Sequence, residues 1–87
     1  MLIKFYPPFD FEIRHLEMRI EQPTTVLQML QRIGAEYTGF AAFLPAEVGE
    51  EAVRSRILVF VNGKVASLQD TLFDQDVIEL VSPISGG

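Results

Sequence analysis

The chain has no cysteine, no tryptophan and a single histidine among its 87 residues. Without cysteine there is no disulfide framework, no thiolate metal site and no cysteine nucleophile. One histidine excludes a two-histidine metal motif. Basic residues are scarce as well, with 7 Lys+Arg against 12 Asp+Glu and a formal net charge of -5. A nucleic-acid binder needs a basic face to displace counterions, so that class is excluded. Long apolar runs are also missing. The longest are Phe40 to Leu44 and Ile57 to Val61, whereas a membrane span needs about 20 apolar residues. The N-terminal stretch, Met1 to Pro8, lacks the basic-then-apolar layout of a signal peptide. The expectation is a soluble cytoplasmic protein.

What is present is enough for one small domain. Apolar residues make up 48% of the chain, too many for a disordered segment. Leu2 to Tyr6 is apolar and β-prone, and Pro7-Pro8 stops it by removing ladder donors. Arg14 to Ile20 alternates, with Leu16, Met18 and Ile20 on one face and His15, Glu17 and Arg19 on the other. That pattern predicts a half-buried strand.

The clearest helix starts at Thr25. It is a good N-cap, and Gln28 stands three residues later in capping-box spacing. Val26, Met29, Leu30 and Ile33 recur along one helical face. Gly34 then reads as a left-handed residue ending a helix of about ten residues. Residues 35–53 are less legible, and read either as a short helix or as a packed loop. Arg54 to Val61 predicts a strand with apolar residues on both faces. Asn62-Gly63 is a strong two-residue hairpin signal, Lys64 to Ala66 returns as a short strand, and Asp76 to Val81 is the last strand.

The predicted order is β-β-α-β-β-β, an α+β layout with one main helix across a mixed sheet. Residues 1–81 form the domain. Residues 82–87, Ser-Pro-Ile-Ser-Gly-Gly, form a flexible tail. Two glycines let a backbone enter a narrow channel and adopt angles that side chains forbid. The same end also reads as a frayed terminus.

Three segments together resemble one family. They are Asn62-Gly63-Lys64, Leu72-Phe73-Asp74-Gln75-Asp76-Val77-Ile78 and Ser82-Pro83-Ile84-Ser85-Gly86-Gly87. The chain resembles the MoaD/ThiS sulfur carriers, small ubiquitin-like β-grasp proteins, and among them the small subunits of molybdopterin synthase. The likeness is strong over residues 54–87 and looser over residues 1–34. Gln75 departs from it, standing where the family has Gly, so a turn of another type is expected there. Ser82 replaces a proline, and Pro7-Pro8-Phe9-Asp10-Phe11 is not the usual continuation of the first strand.

The resemblance implies a chemistry. An E1-like adenylyltransferase activates the carboxylate of Gly87, and a sulfur donor protein converts the acyl-adenylate to a thiocarboxylate. Pro83, Ile84, Ser85 and Gly86 form the tail that enters a partner. The large subunit of molybdopterin synthase then receives the sulfur for molybdenum cofactor biosynthesis. The carrier alone is not catalytic and binds no cofactor. It has no phosphate-binding loop, so ATP is used by the activating partner. Thiamine or cysteine biosynthesis and protein modification are rival destinations, and an interaction module with an idle tail is a further rival.

A docking face follows from strand alternation. Val59, Val61, Ile78 and Leu80 point to the helix. Leu58, Phe60 and Val81 lie on the other face as an apolar patch, the predicted partner surface. The rival reading folds residues 35–53 over it. Asp70, Asp74, Asp76 and Glu79 lack the spacing of a cation loop and read as a solvated turn.

Overall fold

The computed structural model describes residues 1–46 and 49–83. Its main sheet is built from β1 (Leu2–Phe5), β2 (His15–Glu17), β4 (Leu58–Val61), β5 (Lys64–Val65) and β7 (Val77–Val81). The strand order is β2-β1-β7-β4-β5. β1 runs parallel to β7, with Ile3 opposite Ile78 and Phe5 opposite Leu80. β2 and β4 pair antiparallel on either side of that couple. A separate two-stranded ladder joins β3 (Thr24–Thr25) to β6 (Thr71–Leu72). The first and last strands of the main sheet are therefore parallel neighbours at its centre.

Helix α1 (Val26–Glu36) starts as expected. The Thr25 side chain accepts from the Gln28 N–H, and the Gln28 side chain accepts from the Thr25 N–H. Two otherwise orphaned backbone donors are satisfied by one reciprocal pair. Val26, Met29, Leu30 and Ile33 are buried on its inner stripe. They join Ile3, Phe5, Val59, Ile78 and Leu80 of the sheet in one buried cluster. Burying an aliphatic side chain of this size contributes about 1.5–3 kcal/mol, so this stripe and the sheet's inner face carry the fold.

Two expectations are corrected. The helix does not stop at Gly34 but continues through it to Glu36. Gly34 is not left-handed; it makes room for a neighbour instead. A Cβ there would lie 2.9 Å from Leu44 Cδ1 and 3.6 Å from Ala41 Cα. The segment after α1 folds back against this gap. Of the two readings of residues 35–53, the helical one holds, with α2 (Thr38–Ala41) and the start of α3 (Glu50–Arg54) in that stretch. Phe40 of α2 is buried against the rings of Phe5 and Phe9, both with centroids 5.9 Å away. The second correction is the start of the next strand: Arg54 belongs to α3, and β4 begins only at Leu58.

The turns obey backbone chemistry. Asn62 (φ 52) and Gly63 (φ 85) both take the left-handed conformation that a tight hairpin demands. At the other turn Gln75 keeps an ordinary negative φ. There Asp76 accepts from the Phe73 N–H at 2.8 Å and its own N–H donates to the Phe73 carbonyl at 3.0 Å. The aspartate closes the turn, so no glycine is needed.

Asp74 ties this turn to the chain's beginning. It accepts from the Ile20 N–H at 2.9 Å and lies 3.6 Å from the Met1 amine. The Ile20 hydrogen bond, aided by the charges of Met1 and Arg19, lowers its pKa from the ordinary 3.8. A depressed carboxylate stabilises the fold fully above its unfolded-state pKa. That contribution disappears as pH falls through the lower folded-state value. Asp74→Asn removes the titration. Its melting temperature is expected to drop less than the wild type's between about pH 5 and about pH 3, measured by circular dichroism. Parallel pH curves for the two proteins would refute this.

Candidate functional site: the open sheet face and the tail root

One face of the sheet carries the helices and the other is open. On the open face Leu58 stands opposite Val81, and Phe60 stands opposite Glu79 and Val65. Leu58, Phe60 and Val81 are half-buried, and Val77 and Val65 are exposed. The three residues predicted as a docking patch are thus together on one face. Of the segment that the rival expectation lays over this face, α2 packs on the helix side through Phe40, and Val53 of α3 joins the same buried core.

The structure adds residues to this face. Strand β1 contributes Leu2 and Lys4, which lie beside Val77 and Glu79 of β7. Tyr6 continues the same alternation, and its hydroxyl donates to Glu79 Oε2 at 2.8 Å. That hydrogen bond, with burial and charge repulsion as smaller causes, raises the Tyr6 phenol above its ordinary 10.0. Tyr6 was missed from sequence, yet its signal was present: Leu2, Lys4 and Tyr6 form a period-two series broken only by Pro7.

The tail departs from the centre of the sheet. Val81 ends β7, and Ser82 and Pro83 follow half-buried. Pro83 lacks an N–H and cannot extend the ladder. Ile84, Ser85, Gly86 and Gly87, assigned to the inserting tail from sequence, lie outside the described residues. The C-terminal end of β7 lies beside that of β1, since the Tyr6 N–H donates to the Leu80 carbonyl at 3.1 Å.

The carboxylates of the acidic segment are each engaged separately. Asp70 accepts from the Ser67 N–H at 2.9 Å, and Asp76 also accepts from the Asn62 amide at 2.9 Å. Asp74 holds Ile20, and Glu79 holds Tyr6 on the open face. They brace turns and strands. Among the described residues no helix is long and apolar enough to cross a membrane.

A mixed sheet with parallel first and last strands, one main helix against one face, and a tail leaving the central strand define a ubiquitin-like β-grasp protein. Comparison with known proteins agrees. The chain belongs to the ThiS family, whose model matches residues 9–87. It is therefore a ubiquitin-like carrier or modifier of that family, whose members work with E1-like activating enzymes. The solution structure of the Haloferax volcanii HVO 2177 protein is similar, with a TM-score of 0.77 and 27% identity. That match covers 99% of this chain and 84% of the other. The crystal structure of SAMP1 from Haloferax volcanii also has a TM-score of 0.77, at 21% identity, covering 100% of this chain and 98% of that one. At that identity the likeness shows the fold alone. No curated protein is matched.

Proposed function

We propose that the chain is a sulfur carrier of the molybdopterin branch, with the carboxylate of Gly87 as its working group. The reading rests on one observation: β7 lies at the sheet centre and leads through Ser82 and Pro83 into the sequence Ile84-Ser85-Gly86-Gly87. The root of a Gly-Gly segment thus adjoins an open apolar face. A carboxylate is a poor electrophile, and adenylylation gives it a good leaving group. A sulfur donor displaces AMP and leaves a thiocarboxylate, which is nucleophilic at neutral pH. Inside the large synthase subunit the thiocarboxylate would attack the pterin precursor away from water. Length supports this branch over the thiamine one, because α2 and α3 fill a stretch that thiamine-pathway carriers usually lack.

A second reading is a ubiquitin-like protein modifier. The path is shared up to the acyl-adenylate, and an acceptor amine would then replace sulfur. Intact-mass spectrometry after incubation with an E1-like adenylyltransferase, ATP and a sulfur donor separates the two. Exchange of one oxygen for sulfur adds about 16 Da by atomic mass, and that gain is expected here. Formation of amide-linked adducts on lysines of other proteins, without the gain, would replace the carrier reading with the modifier one.

A further inference from the structure

The segment Pro7–Phe11 departs from the family pattern, and the open face does not use it. It ends in Phe11, which is 62% exposed. An exposed phenylalanine is commonplace on its own. This one is held in place. Its ring lies 6.5 Å from that of Phe43, which packs edge-on against Phe9 at 4.9 Å, and Phe9 packs on buried Phe40. A row of rings thus runs from the core to the surface. The seat is Gly39 of α2, where a Cβ would collide with the Phe11 ring and the Glu12 carboxylate.

The place of this residue in the fold matters. β1 and β7 are parallel, so the loop after β1 springs from the end of the sheet where the tail leaves. Six residues span at most about 20 Å when fully extended. An enzyme that closes on Gly87 must therefore bring its surface down to this end of the sheet. A ring already fixed there loses little side-chain freedom on contact, which favours its use as an anchor.

We infer that Phe11, seated on Gly39 beside Phe43, is a second contact surface for the E1-like activating enzyme, beside the mouth of the channel that receives the tail. The inference rests on the carrier reading. Phe73 supplies the control. It is 55% exposed but stands at the turn before β7, at the opposite end of the sheet.

The test is carrier-dependent ATP–pyrophosphate exchange by the E1-like adenylyltransferase of the same organism, with the full chain as the varied substrate. Phe11→Ser is expected to raise the KM for the carrier about tenfold, as loss of an aromatic anchor does. The saturated rate should stay unchanged. Phe73→Ser should leave both parameters within about twofold. Gly39→Ala keeps the phenylalanine but removes its seat, and is expected to raise KM as well. It decides the matter if Phe11→Ser lowers the melting temperature enough to compromise folding. A Phe11→Ser KM equal to that of Phe73→Ser, with both proteins folded, overturns the inference. So does concentration-dependent self-association that Phe11→Ser abolishes while KM is unchanged, which would give the patch to a second copy. Absence of exchange with the wild-type chain overturns the carrier reading itself and this inference with it.

Discussion

Deletion of Gly87 is expected to abolish ATP–pyrophosphate exchange by the activating enzyme, lowering the rate by at least about a thousandfold, while the thermal melt stays within about 1 °C of the wild type. The reason is positional. Adenylylation needs the terminal carboxylate within bonding distance of the α-phosphate, and misplacement by even 1 Å costs on the order of 100-fold in rate. A tail shortened by one residue falls about 3.4 Å short. Addition of one alanine after Gly87 should be similarly damaging, because it moves the carboxylate and brings a Cβ into a channel shaped for glycine. Among the described residues the buried cluster and the sheet ladders end at or before Val81, so stability should not change. Exchange at the wild-type rate by the truncated chain would remove Gly87 from the mechanism. The melt distinguishes loss of a reacting group from loss of a fold.

The second large effect is expected at Phe60. Phe60→Lys should weaken binding to the activating enzyme about 100-fold by isothermal titration, through loss of an aromatic anchor and burial of a charge in an apolar contact. The substitution is chosen for what it does in the free protein. Phe60 stands opposite Glu79 across the antiparallel pair, and a cross-strand Lys–Glu pair is mildly stabilising. The half-buried face can therefore take the lysine without unfolding. Leu58, Val81 and Phe60 share this face, so Leu58→Lys should act in the same direction. Unchanged affinity for Phe60→Lys would move the docking surface elsewhere and leave the tail mechanism intact.

Much of this was readable from the residues. The capping box at Thr25 and Gln28, the Asn62-Gly63 hairpin and the stripe of α1 are local signals with local causes, and the structure shows each. The shared face of Leu58 and Phe60 was legible for the same reason, since strand alternation requires it. Gly34 misled because two different needs select glycine. Its absent Cβ makes room for Leu44, a partner ten positions away that no local pattern reveals. Residues 35–53 were opaque because α2 and α3 are short helices of four and five residues, less than the length over which periodicity declares itself. Phe40 is ordered by Phe5 and Phe9, both distant in sequence. Phe11 was visible only as a departure from a family pattern. Its seat on Gly39 required the folded chain.

The central pairing of β1 with β7 has a consequence for how the molecule comes into being. Residues 2–5 pair with residues 77–81, and Leu2 meets Val77 across 75 positions of sequence. Contacts of such sequence separation form late and cost loop-closure entropy. During synthesis β1 must therefore wait until residues 77–81 have been made before the middle of the sheet can close. A nascent chain or a fragment that lacks β7 has no completed core and no rooted tail. A chain cut short before β7 therefore cannot present the open sheet face together with the segment that follows Val81.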